Sequence, residues 1–263
     1  MTSLPIDPVL PELLAALETA PAAVLQAPPG AGKSTRVPLA LLDAGWLGSG
    51  RIVMLEPRRL AARAVAQRMA RSLGEKVGET VGYRVRQDSK VGPATRIEVV
   101  TEGILTRRLQ QDPELEGVAI LLFDEFHERS LQADLGLALS LDVQQGLRED
   151  LKLLVMSATL DGEEVAAMLG GAPVITSEGR SFPVETRHLA KPQLREIVPA
   201  MTAAIRQALG ETEGDILAFL PGEGEIRRVA SALAEQASDR LLIAPLFGAL
   251  PQAEQDRALR AAP

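Results

Sequence analysis

The sequence predicts an α/β fold in which a parallel sheet is covered by helices on both faces. Three observations predict it. Short apolar runs of strand length alternate with segments of helical spacing along most of the chain. A Pro/Gly-rich turn ending in Lys33-Ser34 lies directly between the first run and the first helix, and a later apolar run ends on Asp124-Glu125. Parallel strands read as unbroken apolar stretches because their crossover helices bury both faces of the sheet.

Taken in order, Ala23 to Gln26 reads as the first buried strand, with a helix over Ser34 to Ala44 after the turn. Ile52 to Leu55 is the next strand and Leu60 to Leu73 the next helix. Ile97 to Thr101 is β-rich, Gly103 to Gln110 helical, and Ala119 to Phe123 a strand. A helix over Leu131 to Gly146 and a strand over Leu151 to Met156 follow. Breaks come at Gly170 to Pro173 and near Gly179 to Pro183, after which the alternation restarts. Strands are expected over Val184 to Leu189, Ile216 to Leu220 and Leu241 to Ala244, with helices over Gln193 to Leu209, Glu225 to Gln236 and Ala253 to Arg260.

Composition narrows the function. The chain has 263 residues, 46% hydrophobic and 24% charged, enough apolar side chain for a packed core. Aromatics are only 3%, so that core is built from Leu, Val, Ile and Ala. With no cysteine, a disulfide scaffold, thiol catalysis and Cys-ligated metal are excluded. Two histidines, His127 and His188, leave little for a His-based metal cluster. Apolar runs fall far short of the roughly 20 residues of a membrane span, and Met1 to Pro11 has no signal-peptide character. A soluble, cytoplasmic protein without membrane contact is expected. The net charge of -7 argues against a non-specific nucleic-acid coat, but Arg58, Arg59, Arg63, Arg68 and Arg71 form a local basic run. Taken alone, that run describes a solvated helix face.

Two motifs carry chemistry. Ala27-Pro28-Pro29-Gly30-Ala31-Gly32-Lys33-Ser34-Thr35 fits the phosphate-loop pattern, with Ala27 where the strict pattern has Gly. Small residues let backbone N–H groups curl around a polyphosphate at a helix N-terminus. Lys33 supplies a cation to the β- and γ-phosphates of a nucleotide such as ATP, and the Ser34 hydroxyl suits Mg²⁺. Asp124-Glu125-Phe126-His127 emerges at the carboxyl end of a strand, where open α/β sheets bind ligands. Asp124 is placed to hold Mg²⁺ through water, Glu125 to orient and deprotonate an attacking water, and His127 to couple nucleotide to sheet.

Here the sequence resembles the DEAH-box branch of the superfamily 2 helicases, closest to the bacterial HrpB-type ATP-dependent RNA helicases. The family's acidic motif is Asp124-Glu125-Phe126-His127, with Phe126 in place of the usual Ala, followed by Glu128-Arg129-Ser130. Glu56 to Ala62 resembles motif Ia, Thr101-Glu102-Gly103 motif Ib, and Ser157-Ala158-Thr159 motif III. Phe219-Leu220-Pro221-Gly222, with Glu225-Ile226, resembles motif IV, and Pro245 to Pro251 the segment after it. The resemblance implies a RecA-like P-loop ATP-binding helicase domain over residues 1–178 and the N-terminal portion of a second RecA-like domain over 179–263. It implies 3′-to-5′ movement on single-stranded RNA, driven by ATP with Mg²⁺. Lys33, Asp124, Glu125 and His127 would be catalytic, and Pro29 to Thr35 would bind the nucleotide. Ser157 and Thr159 would couple the two. Arg58, Arg59, Arg86 and Thr101 would touch RNA backbone, which tracks a strand without reading its sequence. Arg68 would stack on the nucleobase, facing Leu259 where relatives carry an aromatic residue.

Family motifs V and VI do not occur in the sequence, nor do the winged-helix, ratchet and OB-like domains of DEAH-box relatives. The expectation is therefore the N-terminal part of a larger helicase, itself nearly inactive. The alternatives from other classes are a nucleotide-binding switch or adaptor acting through a protein partner, a DNA helicase and a small-molecule kinase. Protein partners are not legible in the sequence.

Overall fold

The computed structural model describes residues 3–158, 162–179, 183–189, 196–237 and 241–259. The chain divides into two compact units, Met1–Phe182 and Pro183–Pro263.

The first unit is a three-layer α/β/α sandwich. Its strands are β1 (Ala22–Gln26), β2 (Arg51–Leu55), β3 (Val81–Val85), β4 (Asp88–Lys90), β5 (Ile97–Val100), β6 (Val118–Phe123), β7 (Lys152–Ser157) and β8 (Val174–Thr176). Its helices are α1 (Leu10–Thr19), α2 (Lys33–Leu41), α3 (Arg59–Leu73), α4 (Glu102–Gln111), α5 (Leu131–Gly146) and α6 (Gly162–Met168). The sheet order is β4-β3-β5-β2-β6-β7-β1-β8, and every pair is parallel except β3 with β4. The alternation of side chains across a strand divides the core in two. From β6, Ile120 and Leu122 pack with Leu17 of α1, Val37 of α2 and Met69 of α3. Leu121 and Phe123 pack on the opposite face with Leu105 of α4 and Leu137 and Val143 of α5. Each such side chain, fully buried, contributes roughly 1.5–3 kcal/mol.

Parallel strands all end on one edge. The phosphate loop follows β1, Glu56 follows β2, Thr101 follows β5, Asp124 follows β6, and Ser157 closes β7. Because β7 lies between β1 and β6, the phosphate loop and the acidic pair open onto the same crevice.

The expected strands and helices of residues 23–156 are all present, with ends moved by one to three residues. Four features differ from expectation. Helix α1 precedes the first expected strand, its Leu13 and Leu17 buried. The β3–β4 hairpin adds an antiparallel edge. Helix α6 and strand β8 follow β7, where the sequence shows mainly a break.

The second unit needs a larger correction. Its described residues form three helices, α7 (Ile197–Glu211), α8 (Glu223–Leu233) and α9 (Gln252–Ala258). Arg206 of α7 donates to the Ala232 carbonyl at 3.0 Å, and Val229 and Leu233 of α8 are buried. The strands expected over Val184–Leu189, Ile216–Leu220 and Leu241–Ala244 are not formed among the described residues. A strand needs a run of ladder bonds to a neighbour, and among the described residues of these segments only Leu241 sits in a bridge. Several of their apolar side chains stay in water: Leu217 is 77% exposed and Phe219 80%.

Candidate functional site

The phosphate loop is shaped by two glycines. Gly30 and Gly32 have φ of 76° and 101°, conformations that L side chains rarely adopt. A Cβ at Gly32 would also lie 2.7 Å from Leu4 Cδ1, so Leu4 would have to shift to admit a side chain. The turn closes through Ala31 N–H to Pro28 O at 3.2 Å and is held below by Ile6 N–H to Ala31 O at 3.1 Å. Ala27 N–H donates to Ser157 O at 3.0 Å, joining the loop to the end of β7. Gly32 N-caps α2, so Lys33 and Ser34 open that helix. Pro29 and Gly30 are exposed, as a ligand-facing rim requires, whereas Lys33 is 3% exposed.

Beside it, the acidic turn is a buried charge cluster. Asp124 is 3% exposed; its Oδ1 accepts from Glu125 N–H at 2.9 Å, and its buried Oδ2 has no donor within hydrogen-bond geometry. Burial pushes the Asp124 carboxyl up to about 6; the Ser34 hydroxyl opposes this, and the Glu125 charge adds to it. Glu125 takes left-handed backbone, φ 50°, which aims its carboxylate at two partners. Its Oε1 lies 4.0 Å from Lys33 Nζ and its Oε2 lies 3.4 Å from His127 Nε2. Since His127 Nδ1 accepts the Ala158 N–H at 3.2 Å, the neutral ring carries its proton on Nε2, facing Glu125.

An orphaned, buried carboxylate oxygen next to a hydroxyl is a fit for Mg²⁺, a hard cation that prefers oxygen. No group of three His, Cys, Asp or Glu that could hold a metal occurs among the described residues. An ion here would take Ser34 directly and Asp124 through water, and complete its shell with water and phosphate oxygens, as Mg²⁺ usually does.

Glu56 is a member of the cluster that sequence reasoning missed. It follows β2 directly, lies beside Asp124, is 2% exposed, and accepts Arg58 N–H at 3.3 Å. Burial first, then the Asp124 charge, pushes its carboxyl up to about 8. The available signal was an acid directly after an apolar strand, the same pattern that marks Asp124.

The basic residues line the same edge further along the sheet. Arg58 N-caps α3 and pairs with Glu128, two residues beyond Phe126. Arg59 Nη2 donates at 3.1 Å to the carbonyl of Arg86, which stands exposed in the two-residue turn of the β3–β4 hairpin. Thr101 N-caps α4 through its backbone and is 9% exposed. Arg68 is exposed on α3, and among the described residues no bond joins it to the phosphate loop. Ser157 is 5% exposed at the end of β7. Thr159 lies outside the described residues, and Leu259 belongs to the second unit.

The family model for DEAD/DEAH box helicases matches residues 9–168. The chain is 57% identical over its whole length to the ATP-dependent RNA helicase HrpB of Escherichia coli (strain K12), covering 32% of that protein. It is 35% identical over 272 aligned residues to the probable ATP-dependent RNA helicase DHX35 of Homo sapiens, covering 96% of this chain and 38% of that one. The crystal structure of Escherichia coli DEAH/RHA helicase HrpB superposes with a TM-score of 0.91 at 57% identity, over 99% of this chain and 33% of that one. The chain thus spans about a third of the length of these relatives. It belongs to the DEAD/DEAH box helicase family.

Proposed function

We propose that this member of the DEAD/DEAH box helicase family supplies the nucleotide-binding half of an ATP-dependent RNA helicase, in which hydrolysis drives 3′-to-5′ movement on single-stranded RNA. One observation carries the nucleotide reading: the orphaned Asp124 oxygen is buried beside Ser34 and Lys33, with Glu125 held between Lys33 and His127. The phosphate loop wraps the polyphosphate with backbone N–H groups, and Lys33 counters its β/γ charge. Ser34 and, through water, Asp124 would hold a Mg²⁺ ion, which would supply positive charge to the phosphates. Glu125 accepts the proton of the attacking water; His127 fixes the Glu125 carboxylate and ties it to β7 through Ala158. In this reading Ser157 and Thr159 couple the nucleotide and RNA sites.

RNA, rather than DNA or a protein partner, is supported by the similarity to proteins named as ATP-dependent RNA helicases and by the basic edge of Arg58, Arg59 and Arg86. In this reading Arg68 stacks on the base, residues 1–178 are the first RecA-like domain and 179–263 begin the second. The protein works in the cytoplasm.

The test is ATP binding by this chain, and ATP turnover with RNA, DNA or neither by the chain extended to the length of its relatives. Lys33→Ala should abolish most binding measured by calorimetry. Glu125→Gln should bind ATP normally and hydrolyse it about 10²- to 10⁴-fold more slowly. Wild-type turnover in Glu125→Gln would move the base elsewhere, and stimulation by DNA alone would overturn the RNA assignment.

A further inference from the structure

The acidic turn is fastened to the basic edge at two points that the nucleotide chemistry does not require. The Glu128 carboxylate accepts from Arg58 Nη2, at the start of α3. The Ser130 hydroxyl donates to Glu102 Oε1, in the first turn of α4, while accepting the Ala133 N–H at 2.9 Å as the N-cap of α5. Each fastening therefore joins residues just beyond His127 to one of the two segments expected to hold RNA.

The stretch between them has little freedom to absorb movement. Glu125 and Arg129 both have positive φ, 50° and 46°, which non-glycine residues keep only where their surroundings enforce it. Phe126 is 4% exposed and meets Phe123 edge-on at 6.4 Å, with the Arg129 guanidinium 5.7 Å above its ring. Glu128 N–H donates to Glu125 O at 2.9 Å, so the residue that grips Arg58 is bonded directly to the residue that faces Lys33.

We propose that Glu128 and Ser130 are positioning residues that couple occupancy of the RNA edge to the placement of Glu125 and His127. This rests on the RNA reading above. An RNA phosphate at Arg58 competes with Glu128 for one guanidinium, and the change in that pair is passed through the Phe126–Glu128 turn to Glu125. The Ser130–Glu102 bond holds the far end of the turn, so that it pivots on α4.

Coupling between two ligands is a ratio of affinities, and it is reciprocal. The experiment measures binding of a fluorescein-labelled oligouridylate to the full chain, with and without Mg²⁺ and a non-hydrolysable ATP analogue. Wild type should show a ratio within the usual range, about 5- to 150-fold. In the double variant Glu128→Gln, Ser130→Ala the ratio should fall below about twofold, while analogue affinity without RNA stays within about twofold of wild type. Ser130→Thr, which keeps a hydroxyl for both bonds, should retain the wild-type ratio. A double variant that keeps the full ratio overturns the proposal alone. One that loses analogue affinity without RNA also overturns it, because the residues then merely hold the nucleotide site together. If wild type binds no RNA, the RNA reading falls and the coupling falls with it.

Discussion

At the scale of single residues, Glu56 and Asp124 are stored electrostatic cost. A carboxyl whose pKa is raised on folding keeps its proton longer in the folded state than in the unfolded one. The folded protein then binds more protons between the two values, so stability falls as pH rises through that window. For Glu56 the window runs from 4.5 to about 8. Asp124 adds the same sign between 3.8 and about 6. At about 1.4 kcal/mol per pKa unit, Glu56 alone is worth on the order of a few kcal/mol. Glu56→Gln cannot ionise, so its melting temperature relative to wild type should climb between about pH 5 and pH 8 and level off above. Thermal melts without divalent cation check this. Parallel pH curves for the two proteins would assign the retained proton to another group. The acid was visible in the sequence after β2, but nothing local announced that Asp124 would lie beside it.

At the scale of elements, the edge that carries Arg86 and Thr101 is braced from within the sheet. Glu98 of β5 is 2% exposed and accepts from Arg84 of β3 at 2.6 Å and from Arg108 of α4 at 2.9 Å on both oxygens. One carboxylate thus locks hairpin, strand and helix together. Removing one partner of a buried pair costs about 3–5 kcal/mol. Arg84 is 42% exposed on its side chain, which brings the expected loss for Glu98→Ala to the lower end, about 3 kcal/mol by urea denaturation. A loss under about 1 kcal/mol would mean that both guanidiniums simply turn out to water. Elements differed in how plainly the sequence announced them. Leu10, Leu13, Leu14 and Leu17 carry the helical spacing of α1, a signal legible in the sequence. Strand β8 is only three residues long, and β4 is polar, so neither leaves an apolar run to read.

At the scale of the molecule, the two units differ in how their backbone is satisfied. In the first, β1, β6 and β7 are paired on both sides by parallel ladders and buried between helices. In the second, segments 183–189 and 215–220 run without ladder bonds. Amide hydrogen exchange should show β1, β6 and β7 among the slowest amides, and 215–220 exchanging near the rate of an unstructured peptide. Protection of 215–220 equal to that of β6 would show that this segment is paired in solution.

The sequence by itself determined the sandwich, the phosphate loop and the acidic pair. Those depend on short-range requirements: apolar runs that must leave water, glycines for positive φ, and Lys33-Ser34 opening a helix. Only the tertiary structure decided that β7 stands between β1 and β6, which sets Glu125 against both Lys33 and His127. It alone paired Arg58 with Glu128, 70 residues away, and set the buried Glu56 carboxyl against the Asp124 charge. It alone left segments 184–189 and 216–220 of the second unit without ladders. The physical reason is common to all of these. Periodicity and turn chemistry act over a few residues, whereas strand neighbours, desolvation and ion pairing depend on which distant segments the packed sheet brings together.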